Sequence, residues 1–391
     1  MVRKILALLG LSLFAWAVAW ADDDDRHARF PRDASFTTLI KTPLAIEGLT
    51  GDDQGNLYTT GRRSGTDLQN CPVWRISVAD HPPQLVEVGF VPAIGTTPCS
   101  PSGITFDAAG ALYFADGSRV HTLVPNAVTK PVATVYATDV PGTNGLAFDR
   151  GGNLWTGDGT TGLGRVWRIP PHAGSVAGTE VFRVQPMVNT ATAVVAGVTF
   201  NGIGRDVRTS PTGNSQPLVA NGIAFNHEGD MLIADTARGA IWKVEMNHDG
   251  SVRSPVNCDT TFTPNTLCLD NILVAHPYLE GVDGIALDAA GNIWADPNER
   301  NAIVVVSRKG DVVTEIFRNS PNAANLRNDG PLETPTSPFL LGHKFCTANS
   351  DGNRRDNAPN TAGEIKPAGP DVGKISCMDQ RLHIPGMRLP L

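Results

Sequence analysis

Glu47, Asn144, Asn221 and Asp283 lie far apart in this 391-residue chain, yet each stands directly before a glycine and a short apolar run. Two carboxylates and two amides, with no His or Cys among them, make an oxygen-only donor set that suits calcium better than zinc or copper. Two formal negative charges would balance a divalent cation, and two carboxylates brought into one narrow space repel each other without one. Turn chemistry offers a second explanation, because Asn-Gly and Asp-Gly are favoured turn dipeptides. Glu-Gly has no such preference, and Glu47 turns the reading toward a shared metal site.

Elements that could bring these residues together are written in the sequence as a repeat. "NGIAFNHEGDMLIAD" from Asn221 recurs as "SGITFDAAGALYFAD" from Ser102, "NGLAFDRGGNLWTGD" from Asn144 and "DGIALDAAGNIWADP" from Asp283, with a looser copy, "EGLTGDDQGNLYTTG", from Glu47. Each copy alternates apolar residues, passes through an acidic or Asn residue and a turn ending in Gly, and resumes an apolar run, which predicts an antiparallel hairpin. A second phrase, "VWRI" at Val73 and Val166 and "IWKV" at Ile241, supplies a third strand. A sixth, degraded unit begins near Thr336, with Ser337 in the leading position. Repeated strand units at intervals of roughly 40 to 80 residues predict an all-β, six-bladed β-propeller. Trp74, Trp167 and Trp242, which travel with the third-strand phrase, are expected to pack blade against blade.

In a propeller the innermost strand opens each blade, so the leading residues Glu47, Ser102, Asn144, Asn221, Asp283 and Ser337 are expected to converge on the axis. Ser102 and Ser337 would line the mouth and hydrogen-bond a substrate, or merely fill the rim. The pattern of Glu-Gly, two Asn-Gly pairs and Asp-Gly, each ahead of an [IL]x[FL][DN]xxG-like run, resembles the gluconolactonase, senescence-marker-protein and luciferin-regenerating-enzyme family. The resemblance implies an axial calcium held at Glu47, Asn144, Asn221 and Asp283, hydrolysis of lactones or related esters, and Asp283 as base or nucleophile. One departure stands out: where gluconolactonase-like members carry Arg-x-Asn-Asp, this chain has Gly142, Thr143, Asn144 and Gly145. The substrate-gripping arginine is missing from that place.

The first residues, with Arg3 and Lys4 ahead of an apolar stretch and a small-x-small ending at Ala21, predict a secretory signal peptide over 1–21. Residues 22–391 are then read as one propeller domain, exported to the periplasm or secreted and free of the membrane once the leader is removed. Loss of Arg3 and Lys4 takes the formal charge of −7 to −9, and no basic run remains to attract nucleic acid. Six cysteines in an exported chain favour disulfides. Their places on the repeat map predict the pairs Cys71 with Cys99, Cys258 with Cys268 and Cys346 with Cys377. Polar loops at 187–217, 319–335 and 350–373 read either as solvated insertions or as lids over the mouth.

Other motifs carry less. "GDGTTG" from Gly157 is followed by a strand and two prolines, so no helix N-terminus awaits a phosphate. "DGNRRD" from Asp351 lacks the closing Glu of a calcium loop, no G-x-S-x-G is present, and His121 and His276 read as structural or exposed. The leading reading is a calcium-dependent hydrolase acting on a small-molecule lactone or ester. A non-catalytic binding propeller with a structural calcium, and a lyase or isomerase using the same axial site, are the alternatives.

Overall fold

One local device makes most of the hairpins. Asp52, Asp107, Asp149, Asn226 and Asp288 each begin a four-residue turn that ends in Gly55, Gly110, Gly152, Gly229 or Gly291, all with φ between 77° and 89°. The acidic or Asn side chain accepts backbone N–H groups within its own turn, as Asp288 does from Ala290 and Asn292, both at 3.0 Å. In four of the five it also reaches an aromatic group six residues on: Tyr58 and Tyr113 donate their hydroxyls, and Trp155 and Trp294 their indole N–H. Turn and strand are thus fixed by the same carboxylate, which explains the sequence motif physically.

The computed structural model describes residues 30–31, 33–172, 174–186, 192–195, 198–201, 218–319, 330–350 and 373–389. The expected leader over 1–21, the Asp351 motif and most of the three long loops lie outside the described residues. Six of the seven sheets among the described residues follow in chain order as blades, the seventh being the hairpin of Thr192–Val195 and Val198–Asn201. Blade 1 comprises Leu49–Gly51, Asn56–Thr60, Cys71–Ser77 and Val86–Val91; blade 2 comprises Ile104–Phe106, Leu112–Asp116, Arg119–Leu123 and Thr134–Thr138, edged by the parallel Val176–Ala177. Blade 3 is Thr143–Phe148, Leu154–Asp158, Arg165–Ile169 and Thr179–Arg183, and blade 4 is Ile223–Phe225, Met231–Asp235, Ala240–Val244 and Ile272–Ala275. Blade 5 is Val282–Leu287, Ile293–Pro297, Ala302–Val306 and Val313–Arg318. Blade 6 takes Pro335–Leu341, Lys344–Asn349 and Gly373–Met378, and its outer strand is Phe36–Thr42 from near the start of the chain. No α-helix occurs among the described residues.

The ring is closed by apolar contact as well as by that shared blade. Six main buried clusters sit one at each junction between neighbouring blades. The last of them joins Cys346, Ala348 and Ile375 of blade 6 to Leu57, Trp74 and Ile76 of blade 1. Trp74, Trp167 and Trp242 lie in three of these junctions, as their repeat positions predicted. All three expected disulfides form, and no free cysteine remains among the described residues.

Candidate functional site at the propeller axis

The glycine after each leading residue is required by close approach across the axis, not by turn geometry. Gly48, Gly103, Gly145, Gly222 and Gly284 do not have positive φ. A Cβ on them would lie 2.2, 2.0, 2.5, 2.6 and 2.3 Å from the carbonyl oxygens of Ser102, Asn144, Asn221, Asp283 and Thr336, each in the next blade. Backbone bonds stitch the same contacts, Gly103 N–H to Asn144 O at 3.1 Å and Gly222 N–H to Asp283 O at 3.0 Å. A ring of leading residues around one axis follows, and at these five contacts it leaves no room for a side chain. In blade 6 the pattern shifts by one residue from the sequence reading. Thr336 holds the leading place, its hydroxyl donating to Glu47 O at 2.8 Å, and Ser337 stands where the other blades have glycine.

In blades 1, 4 and 5 a second residue, just beyond the second strand, holds the leading side chain. The relation has a fixed offset of fifteen. Thr236 accepts from Asn221 Nδ2 at 3.0 Å and passes its own proton to Val282 O at 2.7 Å. Asn298 Nδ2 donates to Asp283 Oδ2 at 2.8 Å. Arg62 donates through Nη1 to Glu47 Oε2, and Glu47 Oε1 accepts from Asn144 Nδ2 at 3.2 Å. In blade 3 the corresponding residue is Gly159, which contributes no side chain. A Cβ there would stand 2.8 Å from both Asn144 Nδ2 and Asn221 Oδ1, so the glycine leaves space beside the two amides.

Asn221 Oδ1 faces that space, is buried, and accepts no hydrogen bond among the described residues. Thr236 has taken the amide NH2, so the oxygen is left as an uncompensated acceptor that favours a cation or a donor. Glu47, Asn144 and Asp283 surround the same axis, so the chemistry of the donor set fits a hard divalent ion held by oxygen. No group of three or more His, Cys, Asp or Glu side chains is placed to share an ion among the described residues. Any such site therefore depends on the amides. Glu47 also arrives already paired with Arg62, which lowers the negative charge that two bare carboxylates would present.

Below the ring the innermost strands enclose an axial cavity of about 110 Å³, with Asn144, Asn221, Asp283 and Ser337 among its lining and Met387 and Leu389 also on its wall. Ser102 is not free at the mouth: its hydroxyl lies 3.3 Å from Thr143 O and 3.4 Å from Ala115 O. Asp296, which the sequence reading did not single out, is fully buried beside Asp283. Burial pushes its carboxyl well above the usual range, the hydroxyl of Thr347 donates to it, and the charge of Asp283 pushes it further up. Blades 2, 3 and 4 carry Ala115, Gly157 and Ala234 at that register position.

Residues 96–326 match the family described as the SMP-30/Gluconolactonase/LRE-like region, a span that holds four of the leading residues. The chain belongs to the SMP-30/gluconolactonase/LRE-like family. A sequence comparison with curated proteins finds no match. Among solved structures, a calcium-binding protein, regucalcin, from Agrobacterium tumefaciens is 16% identical with a TM-score of 0.54, covering 93% of this chain and 98% of its own. A luciferin-regenerating enzyme is 13% identical with a TM-score of 0.52, covering 90% and 97%. The PQQ-bound aldose sugar dehydrogenase of Streptomyces coelicolor is 14% identical with a TM-score of 0.52, covering 89% and 99%. Likeness at this level shows the fold, and that fold serves unlike chemistries. Within the SMP-30/gluconolactonase/LRE-like family this chain also has a local reason for lacking an arginine at Gly142. Its φ is +84°, and a Cβ would fall 2.1 Å from Asp158 Oδ1.

Proposed function

We propose that the protein is an exported, calcium-dependent hydrolase of a lactone or related ester, with the cation held on the propeller axis by Glu47, Asn144, Asn221 and Asp283. The observation that carries the reading is Asn221 Oδ1, a buried acceptor with no hydrogen-bond partner among the described residues, opening on the gap left by Gly159. Family membership supports the lactonase-type role, and the regucalcin likeness supports the choice of calcium. Bound calcium supplies a Lewis acid for a carbonyl oxygen. Asp283 is the residue assigned to receive a proton from attacking water or to attack directly, and Asn298 fixes the orientation of its carboxylate. Thr236 does the same for Asn221. Three disulfides fit an oxidising compartment, and no helix among the described residues is long and apolar enough to cross a membrane.

Ser337, on the cavity wall, remains a proposed substrate contact, and Ser102 is one only as an acceptor, since its hydroxyl proton goes to a backbone carbonyl. The test is calcium titration calorimetry on metal-stripped protein beside the Glu47→Gln, Asp283→Asn double variant, together with a lactone and ester turnover screen. Binding and turnover in the wild type, both lost in the double variant, are expected. Binding without turnover on any lactone or ester gives the lead to a binding propeller with a structural ion. No binding by folded wild type sinks the axial metal.

A further inference from the structure

Of the three side chains that hold a leading residue of their own blade, Thr236 and Asn298 are neutral and Arg62 is charged. We propose that Arg62 is a tethered cation that competes with the axial metal for Glu47 and so sets the metal affinity of the site; the inference rests on the calcium reading above. A guanidinium and a divalent ion cannot both take the full charge of one carboxylate, and an ion entering at Glu47 must share it or displace Nη1.

Arg62 is built to be displaced without being lost. Its backbone N–H donates to Ala45 O at 2.8 Å, and its Nε donates to Ser100 Oγ at 2.9 Å. The next residue is held too, Arg63 N–H to Cys99 O at 2.9 Å, and Cys99 is bonded to Cys71. These anchors do not involve Glu47. A second carboxylate is within reach of the arginine's charge: Asp116 is buried, accepts the Ser100 N–H at 3.0 Å, and feels the charge of Arg62, which helps to hold down a carboxyl that burial pushes up. The other basic groups facing Asp116 are His121 and Arg119. His121 Nε2 is 4.0 Å from Asp116 Oδ2, but burial lowers the His121 pKa to about 4, so the ring is neutral near pH 7 and does not take the arginine's place. The guanidinium therefore acts on two carboxylates, on Glu47 by a hydrogen bond and on Asp116 through its charge, and Ser100 is bonded both to Arg62 and to Asp116. Metal at Glu47 and arginine drawn toward Asp116 form one coupled state, and arginine on Glu47 without metal forms the other.

The coupling gives opposite signs for two substitutions. Arg62→Met removes the competitor, and calcium titration calorimetry on the metal-stripped, disulfide-intact full chain is expected to show binding tighter by on the order of tenfold. Asp116→Asn removes the retreat, and binding is expected to weaken; Arg62→Gln serves should the Met variant fail to fold. Equal affinity in wild type and Arg62→Met overturns the proposal while leaving the metal site intact. Weaker binding in Arg62→Met also overturns it, because Arg62 would then be a buttress for Glu47. Calcium heat absent from folded wild type removes the metal site and the proposal together.

Discussion

The amide N–H of Gly222 donates to the carbonyl oxygen of Asp283 at 3.0 Å, and a side-chain carbon on Gly222 would come within 2.6 Å of that same oxygen. One residue thus both makes the contact between blades 4 and 5 at the axis and would destroy it by the smallest possible enlargement. Because the obstacle is backbone, no rotamer relieves it.

Gly222→Ala is accordingly expected to destabilise the protein by about 2 to 4 kcal/mol, through overpacking at a site that cannot relax. Urea unfolding monitored by tryptophan fluorescence reads the loss. Gly229→Ala is a useful contrast. Its positive φ carries the strain, but a Cβ there meets nothing within 4 Å, so a smaller loss of about 1 kcal/mol is expected. Equal effects at the two positions would argue against the steric account of the axial ring.

Asp288 accepts from the backbone of Ala290 and Asn292, from Asn292 Nδ2 and from the indole N–H of Trp294, all while buried. Asp288→Ala strands several buried donors at once, and a loss of about 3 kcal/mol is expected. Asp288→Asn keeps an acceptor for the turn and should recover part of it. The comparison of urea midpoints for the two variants separates loss of the turn from loss of charge.

His121 gives the fold an acid-sensitive point. Its pKa falls from 6.5 to about 4, because burial disfavours the charged ring and Arg119 adds repulsion, and neither ring nitrogen has a hydrogen-bond partner among the described residues. The folded-state value lies below the unfolded one, so this contribution is fully present above pH 6.5 and is lost as pH falls toward about 4. His121→Phe, close in shape and unable to titrate, should flatten the stability profile between those limits. Thermal melts at pH 7 and pH 5 on both proteins measure it; an unchanged pH 5 to pH 7 difference would mean that His121 is not the group responsible.

Much of this was legible in the sequence, and for a physical reason. The hairpin turn, its capping carboxylate and the glycine beside the axis recur in nearly every blade, so the repeat exposes the blades, the ring and the disulfides that staple them. Turn preference alone gave a competing account of Asn144, Asn221 and Asp283, and it fails at the axis because the glycines there lack positive φ. What the repeat hides is variation at a fixed place. Arg62, Gly159, Thr236 and Asn298 are different residues at one structural position, so similarity cannot reveal them, although the constant offset of fifteen from Glu47, Asn144, Asn221 and Asp283 could have. Asp296 escaped notice because blades 2, 3 and 4 carry their acidic residue one place later in the strand. Thr336 was misplaced by one residue since blade 6 has lost the glycine that marks the register.

The strand Phe36–Thr42 completes a blade whose other strands come from the far end of the sequence. During synthesis that strand leaves the ribosome before the rest of its blade and waits, its pairing edge uncovered, until Gly373–Met378 has been made. Blades 1 to 5 can assemble from neighbours in order, but the ring stays open until Gly373–Met378 has emerged. A premature stop that removes only the last strand would therefore leave two distant edges exposed together, and aggregation, not partial function, is the consequence to expect.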